Sequence, residues 1–176
     1  MENLEMVISK EEIEKKIDDV VSILQKDYHD KDPILIGVLN GSFMFMADLI
    51  RKLDLECEVD FIKISSYTDK NKTSGTVRLI KDISADINGR HVIIVEDIVD
   101  TGLTVRFLKR RMEDSGTKSV EFVCLLFKDT KANVGVDIKY VLFDIPDKFV
   151  VGYGLDYAQK LRRLDSIYTM RELPPV

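Results

Sequence analysis

The apolar positions of the chain change period several times. Ser9 and Glu12 have capping-box spacing, and behind them Ile13, Ile17, Val20, Val21 and Leu24 recur at helical intervals, which predicts an amphipathic helix reaching about Lys26. After a polar connection ending at Pro33 the pattern turns continuous. Ile34, Leu35, Ile36, Val38 and Leu39 form a run too short for a helix and without a polar face, as expected of a strand covered on both sides. Gly37 and the turn Asn40-Gly41-Ser42 interrupt it, and Met46, Leu49, Ile50 and Leu53 then share one helical face. Another strand over 57–65 completes an order of strand, tight turn, helix, strand, so a right-handed βαβ unit is expected.

The same alternation continues downstream. Residues 77–80 read as a strand, Asn88-Gly89 as a turn, and the four β-branched residues Val92, Ile93, Ile94 and Val95 as a central buried strand. Val105, Leu108 and Met112 mark a helix that ends at Gly116, and Val120–Phe127 and Ile138–Phe143 are two more buried strands. Apolar runs alternating with helical patterns predict an α/β fold, a central, mostly parallel, twisted sheet flanked by helices.

The candidate chemistry follows the central strand. Glu96, Asp97 and Asp100 place three carboxylates within five positions, where burial is costly unless cations or hydroxyl groups offset the charge. Thr101, Gly102 and Thr104 then form a small-residue turn opening a helix, where free N–H groups and hydroxyls suit an anion. A sugar phosphate has both the polyol and the anion these groups ask for. From the residues alone a plainer reading stands beside this one: the acids end a strand, and Asp100 and Thr101 cap the next helix.

Composition narrows the partners. Of 176 residues, 45% are hydrophobic and 32% charged, with a net charge of −5, which suits one globular domain over 1–176 and does not favour nucleic acid. Met1 to Glu12 is acidic and has no apolar core flanked by basic residues, so no signal peptide is expected, and no run reaches membrane-spanning length. Cys57 and Cys124 sit in apolar runs and read as reduced thiols of a cytoplasmic protein. His29 and His91 stand apart, so a structural zinc site is not expected.

Residues 92–104, an apolar strand followed by Glu-Asp, two apolar residues, Asp-Thr-Gly, one residue and Thr, closely resemble the 5-phosphoribosyl-1-pyrophosphate (PRPP) signature of type I phosphoribosyltransferases. A second string, Pro146-Asp147-Lys148-Phe149-Val150-Val151-Gly152-Tyr153-Gly154-Leu155-Asp156-Tyr157, resembles the hypoxanthine-guanine branch, and the likeness extends over nearly all of the chain from about residue 33. The resemblance implies the type I fold, a small hood over the active site built from the N- and C-terminal segments, and a flexible lid loop at about 66–76 that begins with Ser66 and Tyr67. It implies transfer of ribose 5-phosphate from PRPP to hypoxanthine or guanine, with Mg²⁺ as cofactor, pyrophosphate as product and a homodimer or homotetramer as assembly.

Roles follow residue by residue. Glu96 and Asp97 would hold the ribose hydroxyls and, with Asp156, bind Mg²⁺. Thr101, Gly102, Leu103 and Thr104 would hold the 5-phosphate, and Asn40 and Gly41, after a cis peptide at Leu39–Asn40, the pyrophosphate with Arg162. Asp100 would be the general acid/base beside purine N7, Lys128 would meet the 6-oxo group, Phe149 would stack on the ring and the Val150 backbone would read the exocyclic position. Two alternatives share the fold: a PRPP-sensing regulator that binds nucleic acid, which the acidic composition disfavours, and a transferase preferring xanthine.

Overall fold

The structure, a computed structural model, describes residues 3–67, 76–128, 135 and 137–171. Six strands form the main sheet: β2 (Ile34–Leu39), β3 (Glu58–Tyr67), β4 (Thr76–Lys81), β5 (His91–Val99), β6 (Ser119–Lys128) and β7 (Tyr140–Ile145). Their order is β4-β3-β2-β5-β6-β7, all parallel except β4, which pairs antiparallel with β3. Helices α1 (Lys10–Tyr28) and α2 (Phe43–Lys52) cover one face and α3 (Leu103–Asp114) the other. Leu35, Ile93, Val95, Val123 and Leu125 belong to the first core, and Ile34, Ile36, Ile94, Phe122 and Cys124 to the second. Successive side chains therefore enter opposite cores, which is why these strands read as unbroken apolar runs.

Helix α1 starts as its sequence demands, with Ser9 Oγ accepting from the Glu12 N–H at 3.2 Å and Glu12 Oε2 accepting from the Ser9 N–H at 2.8 Å. A second, three-stranded antiparallel sheet of order β1-β9-β8 joins β1 (Leu4–Ile8), β8 (Val150–Val151) and β9 (Ile167–Met170). Its Ile8, Val150 and Ile167, with Tyr153 and Leu155 nearby in sequence, pack into the α1/α2 core. β1 and β9 were not anticipated: they are short, mostly not fully buried, and pair across nearly the whole chain.

Four expectations need correction. The apolar run 92–95 does not end before the acids, because β5 continues through Glu96, Asp97 and Ile98 to Val99. Its ladder with β6, Glu96 opposite Cys124 and Val99 opposite Phe127, keeps the backbone paired while polar side chains ride on it. Ser66, Tyr67 and Thr76 are strand residues rather than loop, with Ser66 opposite Val77 and Tyr67 opposite Thr76 across the β3–β4 pair; residues 68–75 of the expected lid lie outside the described residues. Gly37 lies inside β2, opposite Phe61 of β3, and does not break it. The helix start at residue 103 has Gly102 as its N-cap, with no side-chain cap from Asp100 or Thr101.

Candidate active site

From β2 the chain crosses to β3 on one side, and from β5 to β6 on the other, so the carboxyl ends of β2 and β5 flank a topological switch point, where open α/β sheets bind ligands. Leu39 ends β2 and Asn40 and Gly41 follow it, while Glu96 to Thr104 close β5 and open α3. Together they line a cleft of about 380 Å³. The Leu39–Asn40 peptide is cis.

The floor of this cleft is acidic. Glu96 is 4% exposed, and its Oε2 is buried with no hydrogen-bond partner. Burial pushes its carboxyl well above the usual range, and the neighbouring Asp97 adds to that. Asp97 is half-buried, and its Oδ1 accepts from the Ile98 N–H at 2.9 Å. Desolvation pushes its pKa up to about 6; the Arg162 charge works against that rise and Asp156 adds to it. A Cβ at Gly41 would stand 1.5 Å from Asp97 Oδ2, so the bare glycine backbone is what lets the carboxylate lie across the turn after β2.

The wall is the start of α3. Gly102, buried and at φ 70°, precedes it, and the nearest hydroxyl, Thr101 Oγ1, is 3.5 Å from the Leu103 N–H, at the limit of a hydrogen bond. The first-turn donors of α3 are thus left to whatever enters the cleft, with Thr101 and Thr104 beside them.

The segment after β8 closes the site from above β2. A Cβ at Gly154 would meet Gly41 O at 2.0 Å, so the two loops touch through backbone. Tyr153 OH donates to Asp48 Oδ2 of α2 at 2.5 Å and anchors that loop. Arg162 Nη1 donates to Gly154 O at 2.8 Å, and its Nη2 lies 2.6 Å from Asp156 Oδ1. Among the described residues no helix follows Asp156, and its Oδ2 accepts from the Gln159 N–H at 2.8 Å within a turn.

At the other rim, Lys128 ends β6 with Nζ 3.2 Å from Asp100 Oδ2 and 3.2 Å from Asp147 Oδ1. Phe149, 44% exposed, meets Tyr157 edge to face with ring centroids 5.8 Å apart. Val150 is buried in β8 opposite Thr169. Of the residues singled out from sequence, Asn40, Gly41, Glu96, Asp97, Asp100, Thr101, Gly102, Leu103 and Thr104 line the cleft itself. Lys128 joins them through Asp100, and Asp156 and Arg162 through the field they exert on Asp97. Phe149 lies instead on a more open groove of about 500 Å³ shared with Glu5, Lys148, Thr169, Met170 and Arg171. Of Ser66 and Tyr67 only the backbone pairing is described.

Residues 4–158 match the family model described as a phosphoribosyl transferase domain. Over 166 residues the chain is 42% identical to the hypoxanthine-guanine phosphoribosyltransferase of Bacillus subtilis, an alignment that covers 94% of this chain and 92% of the relative. The chain belongs to the hypoxanthine-guanine phosphoribosyltransferases. A Streptococcus agalactiae relative of that name is 40% identical over 95% of this chain and 93% of its own length. A solved hypoxanthine-guanine phosphoribosyltransferase from Bacillus anthracis superposes with a TM-score of 0.90 at 41% identity, covering 94% of this chain and 98% of that one.

Three residues that shape the site carried no role in the sequence reading of this phosphoribosyltransferase. Tyr153 and Asp48 join the 152–156 loop to α2, and nothing in their spacing marks a pair 105 residues apart. Asp147 was legible only as a member of the Pro-Asp-Lys-Phe string, and its contact with Lys128 depends on β6 and β7 lying side by side.

Proposed function

We propose that this chain transfers the ribose 5-phosphate group of PRPP to N9 of hypoxanthine or guanine, giving IMP or GMP and releasing pyrophosphate. The observation that carries this reading is the pairing of Asp100 with Lys128 at 3.2 Å, beside a cleft with an acidic floor and an uncapped helix start. In a free 6-oxopurine that carries its ring proton on N7, the N7–H donor and the 6-oxo acceptor lie side by side on one edge. A carboxylate and an ammonium at hydrogen-bonding separation address that edge together: Lys128 donates to the oxo oxygen and Asp100 takes the proton carried at N7 as N9 forms its bond to C1 of the ribose. That bond forms as the C1–O bond to pyrophosphate breaks.

The remaining groups fit the rest of PRPP. The first-turn N–H groups of α3, with Thr101 and Thr104, suit the 5-phosphate. Glu96 and Asp97 suit the ribose hydroxyls, and the backbone of Asn40 and Gly41 with Arg162 suits the leaving pyrophosphate. Phe149 offers an exposed ring to the base. Among the described residues no three His, Cys, Asp or Glu side chains form a protein-only metal cage. Mg²⁺ is usually held by one or two carboxylates plus substrate oxygens, so the requirement on the protein is a carboxylate left short of a partner. The orphaned Glu96 Oε2 and the strained ionisation of Asp97 meet it, and Glu96, Asp97 and Asp156 are the residues that would hold the ion with substrate. When bound, Mg²⁺ neutralises charge on the pyrophosphate leaving group.

Further parts of the proposal are a single domain over 1–176, a cytoplasmic location, supported by the free thiols Cys57 and Cys124, and a homodimer or homotetramer. The acidic net charge of −5 supports small-molecule partners over nucleic acid. A purine screen with PRPP and Mg²⁺ tests the whole: nucleotide should form with hypoxanthine and guanine. Absence of product with every purine would sink the reading, and xanthine as the best substrate would correct the base.

A further inference from the structure

Lys128 is built into the sheet so that an acid reaches it from each neighbouring strand. In the β5–β6 register Val99 lies opposite Phe127, which brings Asp100 level with Lys128. In the β6–β7 register Lys128 lies opposite Ile145, which puts Asp147 two residues beyond its partner. The two contacts are equal, 3.2 Å to Asp100 Oδ2 and 3.2 Å to Asp147 Oδ1. The lysine side chain is only 11% exposed, while the acids are 55% and 46% exposed. The Asp147 segment is held at both ends: Ile145 is buried in β7, and Phe149 O accepts from Thr169 Oγ1 at 3.1 Å.

An ammonium on a four-carbon stem has no preferred direction of its own, so its aim comes from its partners. Under the function proposed above, on which this inference rests, Asp100 has to turn to the purine proton while Lys128 offers a donor to the 6-oxo oxygen. Both demands loosen the Asp100 contact. An ammonium held by Asp100 alone would lose its aim at the moment of reaction.

We propose that Asp147 is the positioning residue for base recognition: it keeps the Lys128 ammonium fixed when Asp100 engages the base, and through Lys128 it sets the preference for 6-oxopurines over 6-aminopurines. Asp147 touches neither substrate in this scheme. Its effect is confined to the purine and disappears when Lys128 is gone.

The experiment is a steady-state double-mutant cycle on the full chain, using Asp147→Asn, Lys128→Gln and the pair, with hypoxanthine, adenine and PRPP as varied substrates. Hydrogen bonds to charged groups set the scale, so Asp147→Asn should raise the hypoxanthine KM by about 10- to 100-fold while the PRPP KM moves by less than about twofold. The ratio of kcat/KM for hypoxanthine over adenine should fall with it, and Asp147→Glu should recover part of the loss. In the Lys128→Gln background, Asp147→Asn should add less than about twofold. Should Asp147→Asn fail to fold, Asp147→Ser carries the same cycle. The inference is overturned if the hypoxanthine KM stays near wild type, if purine and PRPP constants shift together, or if the two substitutions add in full. Its failure differs from failure of the function itself: Lys128→Gln leaving hypoxanthine use unchanged removes Lys128 from the base site, whereas a damaging Lys128→Gln with an additive Asp147→Asn removes only Asp147.

Discussion

Glu96 and Asp97 show how one pair of residues can be misfitted to the fold and fitted to a ligand. Their chemistry was legible in sequence, but their position was not: nothing in Val-Ile-Ile-Val-Glu-Asp says that the ladder with β6 carries the strand on to Val99. The pKa of Asp97 is pushed up to about 6, above the ~4 of an unfolded carboxyl, so the folded state binds the proton more tightly. Its ionised form therefore costs stability; the cost is absent below pH ~4, grows as pH rises from there, and is complete above about 6. Because the side chain is half-buried the cost is on the order of 1–2 kcal/mol. Asp97→Asn should therefore raise the denaturation midpoint of the ligand-free protein at pH 7.5 and raise it by much less at pH 4.5, while raising the PRPP KM. A midpoint that falls at pH 7.5 would show the carboxylate to be satisfied within the protein. At the neighbouring acid, Asp100→Asn keeps shape but cannot accept a proton, so turnover should drop by ~10² to 10⁴ with PRPP binding intact. A variant within a few-fold of wild type in single-turnover assays would leave Asp100 only its pairing with Lys128.

At the scale of elements, the buried strands and the amphipathic helices were readable because each carries a local signal, continuous apolar runs or helical spacing. β1, β8 and β9 carry none: β8 spans two residues, and β1 meets β9 from the far end of the chain. The turns are where sequence and site meet, through backbones that pass closer than any side chain allows. At Gly154 the φ is 98° and a Cβ would fall 2.0 Å from Gly41 O. Gly154→Ala should cost roughly 1–3 kcal/mol in backbone strain alone. The added methyl also pushes the 152–156 loop, and Asp156 and Arg162 with it, off the Asn40-Gly41 turn. Loss of stability in urea together with a raised PRPP KM, hypoxanthine binding being less affected, is the expected pattern; intact kinetics in a destabilised variant would mean the contact serves the fold alone.

For the whole molecule, strand order puts the uncapped start of α3 and the acids at one switch point, and brings Lys128 in from the next strand over. Selectivity for the base is then a matter of donors and acceptors rather than of shape. Lysine can only donate, so its ammonium suits the 6-oxo acceptor of hypoxanthine or guanine and confronts the amino donor of adenine. Lys128 is 11% exposed, so a mismatched ammonium there has little water to turn to. Stacking on Phe149, by contrast, is nearly indifferent to the substituent. Sites built around one polar contact reject an analogue lacking it by factors reaching ~10⁴ to 10⁵. Wild type should therefore convert hypoxanthine and guanine and scarcely touch adenine. Lys128→Gln, whose amide accepts as well as donates, should narrow that gap by lowering kcat/KM for hypoxanthine more than for adenine, whereas Phe149→Leu should lower both in parallel. Competition assays with the paired bases read the ratio directly. Adenine used as well as hypoxanthine by the wild-type protein, or a ratio that follows Phe149 and ignores Lys128, would mean that the cation at the end of β6 does not read the base.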